Sequence, residues 1–128
     1  CAACHKLDGI GVSLGADLTA LSDKSAPSML TAILDPNRAV EDKFLLYVIT
    51  LINGSATAGM IQGESGNTIT LQTMDGSKQQ LLRSQIKSMQ NTGRSAMPEG
   101  LEAALNPQKV ADLITFIQTS TSTTKQPQ

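Results

Sequence analysis

At 128 residues and a formal net charge of −1, the chain has the length of one domain and lacks the basic surplus of a nucleic-acid-binding protein. Aromatic residues make up only 2%, with no Trp, one Tyr and two Phe, a thin supply of large apolar side chains for a core. No apolar run approaches the roughly 18 residues needed to cross a bilayer as a helix.

The chain opens with Cys1-Ala2-Ala3-Cys4-His5. This is C-x-x-C-H, the pattern for covalent haem attachment. Each thiol can add to one vinyl group of a porphyrin, and the two-residue gap brings both sulfurs to the same macrocycle edge. The His that follows then has an imidazole nitrogen for the iron. A buried haem would also fill the aromatic deficit, and the five Met residues suit an irregular core around it. Three other readings compete. A thioredoxin-like dithiol wants a preceding strand and a βαβ context. A zinc site wants four ligands, or three and a water, and adjacent Cys4 and His5 chelate poorly together. A lipid-modified N-terminal Cys would leave Cys4 and His5 unexplained.

In chain order, residues 6–24 read as a loop punctuated by Gly9, Gly11 and Gly15, with Leu14, Leu18 and Leu21 as apolar contacts. Residues 26–35 read as a helix, capped by Ser25, with Pro27 in the first turn and Asp35-Pro36 as the stop. Met29, Leu30, Ile33 and Leu34 share its apolar face, where Met29 reads as core. After a polar connector over 37–43, Phe44 to Ile52 reads as a strand. Further strands are expected over 56–63, 68–74 and 78–83, with a short strand or turn over 84–89. Asn53-Gly54, Gly66-Asn67 and Asp75-Gly76 separate them, the last as a two-residue hairpin turn with φ > 0 at both positions. This is a small antiparallel meander of four or five strands, with too little apolar surface to stand alone and expected to pack on the helical part.

Residues 91–98 read as a loop and Glu99 to Leu105 as a short helix. Asn106-Pro107 begins a clear amphipathic helix over 107–119, with Val110, Leu113, Ile114 and Ile117 on one face. From Thr119 the composition turns polar, and 120–128 is expected to be a flexible tail or linker.

His5 is the sole His, so an iron site within this chain draws its second axial ligand from elsewhere. Thioether is the other common strong ligand, and Met29, Met60, Met74, Met89 and Met97 are the candidates. Met97 lies in a Gly/Ser loop before Pro98, and on pattern alone it could equally be loop filler.

The C-x-x-C-H motif, Leu14-Gly15-Ala16-Asp17-Leu18 and Met97-Pro98 before a final amphipathic helix resemble a class I c-type cytochrome. More closely, the chain resembles the Pirellula/Verrucomicrobium-type haem-binding domain. The stretches that carry this are Ala32-Ile33-Leu34-Asp35-Pro36, Ala58-Gly59-Met60-Ile61, Ser95-Ala96-Met97-Pro98-Glu99-Gly100-Leu101 and Ala111-Asp112-Leu113-Ile114. The resemblance covers the chain to about residue 119. It implies a mainly α cytochrome c fold, with three or four helices around one haem and the β-meander inserted at about 45–90. It implies haem c on Cys1 and Cys4, His5 as proximal and Met97 as distal iron ligand, with Leu18 and Leu30 as apolar contacts of the cofactor.

Two departures stand out. The family's loop reads G-P-D-L, and here Ala16 replaces the Pro whose carbonyl accepts the His ring N–H. A carbonyl remains, so the bond can survive in a less rigid loop. The usual helix before the haem motif is also absent, so upstream chain or a subunit is expected to cover Val110, Leu113 and Ile117.

His/Met ligation leaves no open iron position, so one-electron transfer is the expected activity, in a carrier rather than an enzyme. The alternatives are a haem electron-acceptor module of a larger exported dehydrogenase, or a haem-based sensor or peroxidase should Met97 not ligate. Redox partner proteins, or a fused or associated dehydrogenase, are the implied partners. The implied location is periplasmic or otherwise exported, with membrane association only through a segment outside this chain. Arg38, Lys43 and Arg94 are candidates for propionate pairing, with a solvated surface role as the simpler reading.

Overall fold

The computed structural model describes residues 1–120. The chain divides into two compact units: Cys1–Arg38 together with the chain from Glu99 onward, and Ala39–Pro98.

The first unit begins with one turn of backbone in which Cys4 N–H and His5 N–H both donate to Cys1 O. A minimal hairpin follows, β1 (Lys6–Leu7) and β2 (Ile10–Gly11), paired antiparallel. Its turn is Asp8-Gly9, and Asp8 is the sole non-glycine residue of positive φ among the described residues (φ 50°, with Gly9 at 79°). Left-handed backbone at both positions is what a tight two-residue hairpin demands. Helix α1 spans Ala26–Leu34. Ser25 Oγ accepts the Ser28 N–H, Pro27 occupies the first turn, and Asp35 precedes Pro36, which disfavours helical backbone. A short 3₁₀ turn, Leu101–Ala104, leads to helix α2, Pro107–Thr119. Asn106 Oδ1 accepts the Lys109 N–H at 2.8 Å, and Pro107 sits where no helical N–H is required. Met29 of α1 packs on Val110, Ile114 and Ile117 of α2, with Leu7, Leu18, Ile33, Leu105 and Leu113 around them. Each such side chain contributes about 1.5–3 kcal/mol on full burial.

The second unit is a five-stranded antiparallel sheet. Its strands are β3 (Leu45–Leu51), β4 (Ala56–Ser65), β5 (Thr68–Thr73), β6 (Lys78–Leu82) and β7 (Ile86–Ser95), in the order β6-β5-β4-β3-β7. β6 and β7 are therefore opposite edges, yet only the 3₁₀ turn Arg83–Gln85 joins them. In a flat sheet four strand spacings would separate the edges by about 19 Å. The four steps from Leu82 to Ile86 reach at most about 14 Å. The sheet must curl, and register shifts between Ile61 and Gly63 on β4 and at both ends of β3 mark where its strands bend. The curled interior holds Ile49, Leu71 and Leu81, with Leu51, Ile61 and Ile86 packed against them.

These observations correct the expected fold class. The described chain is mainly β, with 35% strand and only two short helices, rather than a mainly α cytochrome c fold with three or four helices. The physical reason lies in β7 and the β core. The residues expected as loop from 91 continue β7 to Ser95, pairing back to Leu45. Apolar side chains too sparse to suggest a core from composition converge once the sheet curls. The stretch over Glu99 to Leu105 yields only the 3₁₀ turn. Asp75-Gly76 is not a two-residue turn: β5 ends at Thr73, β6 begins at Lys78, and only Gly76 has positive φ (87°). The tail expected over 120–128 lies, beyond Ser120, outside the described residues. Ser120 itself accepts bonds from Lys24 Nζ at its carbonyl and hydroxyl oxygens.

Among the described residues, no helix is long and apolar enough to cross a membrane.

Candidate functional site

The site is built on the first five residues and the loop that folds back over them. Val12 N–H donates to Ala2 O, Leu14 and Gly15 N–H both donate to Cys4 O, and Leu18 N–H donates to Lys6 O. Leu14, within this loop, is buried. The motif is thereby held by backbone bonds to the loop, and the β1–β2 hairpin rather than a helix follows it.

The loop fixes the His5 ring. Nδ1 of His5 lies 2.7 Å from Ala16 O, within the half-buried part of the unit. A carbonyl oxygen only accepts, so Nδ1 carries the proton. Nε2 then keeps its lone pair and is the nitrogen available to a metal. The same bond orients the ring, as outer partners of metal-binding histidines do.

Two glycines make this possible. A Cβ on Gly15 would stand 2.6 Å from His5 Cε1 and 2.9 Å from Nδ1, so backbone runs directly against the imidazole. A Cβ on Gly11 would stand 2.1 Å from His5 O, and its φ of +108° suits glycine alone. Sequence reasoning read these glycines as loop punctuation and missed their packing role.

Cys1 and Cys4 are both free thiols, Cys1 exposed and Cys4 partly so. Beside them lies a cleft of about 230 Å³, lined by Cys1, His5, Leu7, Leu18, Phe116 and Ile117 among others. Its rim is unusually apolar for an open surface, with Ile10 78% and Phe116 63% exposed. Among the described residues, no three or more His, Cys, Asp or Glu side chains form a group able to cage a metal ion.

The residues present fit one edge of a haem. Two accessible thiols, one imidazole with a defined free nitrogen and an apolar cleft stand together. The cleft is smaller than the roughly 300–1,000 Å³ of sites that enclose a ligand, so it can seat only part of a macrocycle.

Of the residues singled out in sequence, Cys1, Cys4, His5 and Leu18 are brought together here. Leu30 is not: it lines a separate groove of the same unit, beside Pro27 and Leu34. Met97 belongs to the other unit, two residues past the end of β7, half-buried, with its N–H donating to Ser95 Oγ at 3.1 Å. The remaining methionines divide cleanly. Met29 and Met60 are buried in the interiors of their units, while Met74 and Met89 are 42% and 40% exposed. Val110 and Ile117, expected to need an outside cover, are buried within the first unit, and Leu113 is half-buried. Of the cations considered for propionates, Lys43 pairs with Glu41 at 3.4 Å on the surface of the second unit.

No model of a known protein family matches the chain, and no curated protein matches it in sequence.

Proposed function

We propose that this chain is a monohaem c-type electron-transfer module, resembling the Pirellula/Verrucomicrobium-type haem-binding domain. The observation that supports it most is the His5 Nδ1–Ala16 O bond beside two free thiols, which leaves Nε2 without the proton. In this reading Cys1 and Cys4 would tether haem c through thioethers, His5 would hold the iron, and Leu18 would be an apolar contact of the cofactor. Met97 would be the second residue to hold the iron, an assignment that rests on the M-P-E-G-L stretch of the sequence. The haem, when bound, supplies a one-electron iron couple. The chain's part is to fix the imidazole through Ala16 and Gly15, to keep water off the apolar face, and to leave an edge exposed to redox partner proteins or an associated dehydrogenase. Thioether ligation and an apolar surround both favour the reduced iron and raise the potential. Haem attachment of this kind places the protein outside the cytoplasm, periplasmic or otherwise exported.

A second reading, a haem sensor or peroxidase, follows if Met97 does not hold the iron. Carbon monoxide separates the two. Slow or absent binding to the reduced protein supports Met97 ligation, and rapid binding at neutral pH supports the open site.

Intact mass of protein made by its native host, with a visible spectrum of the reduced form, tests the central proposal. A gain of one haem that survives denaturation is expected, and an unmodified mass would sink it. Met97→Ala is expected to abolish the thioether-to-iron charge-transfer band of the oxidised protein. Persistence of the band assigns another methionine.

A further inference from the structure

We infer that Asn53 is a site of spontaneous covalent modification, converted to an acidic residue by imide closure onto the backbone nitrogen of Gly54. The reaction needs water and no haem. Asn53-Gly54 lies in the turn between β3 and β4, and Asn53, Gly54 and Ser55 are all exposed. Of the five asparagines, Asn53 alone precedes glycine, whereas Asn37, Asn67, Asn91 and Asn106 precede Arg, Thr, Thr and Pro. Glycine matters because its nitrogen is the attacking atom, and no Cβ stands beside it to hinder ring closure. The space is open as well, with no heavy atom within 4 Å of where a Cβ on Gly54 would stand.

The turn also positions the carbon under attack. Asn53 Oδ1 accepts the Ser55 N–H at 2.9 Å and the Ser55 hydroxyl at 2.6 Å. These bonds fold the side-chain amide back over the Gly54 peptide, in the manner of an Asx turn. Two donors on one carbonyl oxygen stabilise the negative charge it gains when its carbon is attacked. Gly54 N–H donates to Leu51 O and must leave that bond before it can lose its proton, so the step is promoted by base. Hydroxide takes the Gly54 amide proton, the nitrogen bonds to Asn53 Cγ, and the side-chain nitrogen leaves as ammonia. Water then opens the imide. Attack at Cγ restores the ordinary main chain with aspartate at 53, and attack at the main-chain carbonyl gives isoaspartate. The Ser55 donors sit on the carbonyl whose attack gives aspartate.

The neighbouring hairpin of the same sheet shows that aspartate fits. Thr73 to Ser77 repeats the turn of Leu51 to Ser55. Leu51 N–H donates to Ser55 O and Gly54 N–H to Leu51 O, while Thr73 N–H donates to Ser77 O and Gly76 N–H to Thr73 O. Gly54 and Gly76 share a φ of 88° and 87°. Ser77 N–H and hydroxyl donate to Asp75 Oδ1 as those of Ser55 do to Asn53 Oδ1.

The test ages the full chain in mildly alkaline and mildly acidic buffer, beside a synthetic peptide running from Val48 to Ala58. Peptide mapping by mass spectrometry with electron-transfer fragmentation assigns aspartate and isoaspartate to each position, apart from products at Asp8 and Asp75, which also precede glycine. Conversion at Asn53 is expected to run at least about tenfold faster than at the other four asparagines, given its unhindered nitrogen, and faster in the alkaline buffer. Gly54→Asn, which keeps a residue tolerant of left-handed backbone, is expected to slow conversion at 53 by about tenfold. The aspartate share of product is expected to be larger in the folded chain than in the peptide, and to fall in Ser55→Ala. Asn53→Asp is expected to unfold at the parent's midpoint. Conversion at Asn53 no faster than at the other asparagines overturns the inference. So does an aspartate share no larger in the folded chain than in the peptide, or an Asn53→Asp chain that unfolds earlier than its parent.

Discussion

His5 has its reactive nitrogen chosen by a carbonyl eleven residues away. Because Ala16 O can only accept, the proton is held on Nδ1 and Nε2 is left free. That choice depends on Gly15 more than on Ala16, since any residue at 16 brings a carbonyl while only glycine lets the loop lie on the ring. Gly15→Ala is therefore expected to push the imidazole off its position and cost about 1–3 kcal/mol, the usual penalty of overpacking. Thermal unfolding reads the cost. Nitrogen NMR of the imidazole reads the rest: loss of a fixed Nδ1–H tautomer is expected, and an unchanged tautomer with unchanged stability would refute the close-packing argument. The C-x-x-C-H motif was legible in sequence because it is five consecutive residues. The role of Gly15 was not, because it exists only where two segments meet.

Among the elements, α2 and the β5–β6 hairpin each hang on a local side-chain bond. Asn106 caps α2 through a 2.8 Å bond to the Lys109 N–H. Asn106→Ala is expected to cost about 1 kcal/mol, within the usual 0.5–2 for a lost N-cap, measured as a lower midpoint in denaturant. In the hairpin, the hydroxyl of Thr73 and the N–H and hydroxyl of Ser77 all donate to Asp75 Oδ1. These bonds, led by the one from Thr73, hold the Asp75 carboxyl down at about 2, below its ordinary value of 3.8. A folded-state value below the unfolded one favours folding at pH above the unfolded value. The contribution is lost as pH falls from about 4 toward about 2. A carboxyl carbon titration should place the Asp75 midpoint near 2, and Asp75→Asn should remove the acid-dependent loosening of this hairpin. A midpoint at the ordinary value would show the bonds to be absent in solution. The boundaries of α2 were readable because cap, proline and apolar period agree over one continuous segment. Asp75-Gly76 was expected as the two-residue turn, and Asp8-Gly9 only as part of a loop. Asp8-Gly9 makes the tight turn with both φ positive, whereas Asp75 is drawn into bonds with Thr73 and Ser77 that belong to a longer loop.

Across the whole molecule, two compact units each bury their own apolar cluster, Met29 with Val110, Ile114 and Ile117 in one and Ile49, Leu71 and Leu81 in the other. Ile49 is fully buried at the centre of β3, the strand that pairs with both β4 and β7. Ile49→Ala is expected to cost about 2–5 kcal/mol, since it leaves a cavity where the curled sheet has little freedom to collapse. Hydrogen exchange should show it as faster exchange of the β3 and β5 amides. Protection unchanged from the parent chain would mean that the β unit does not depend on this core.

By itself the sequence determined what depends on neighbours along the chain: the C-x-x-C-H spacing, the strand order through the middle, and the caps and apolar faces of α1 and α2. Each of these needs only a few adjacent residues to agree. Only the tertiary structure decided that the β segment is the larger architectural theme. Its edges close through the three residues of Arg83–Gln85, and curling brings together side chains up to thirty-odd positions apart. Tertiary contact likewise decided which nitrogen of His5 stays free, and that Leu18 joins the motif while Leu30 does not. These facts depend on which surfaces meet, and no local spacing carries that information.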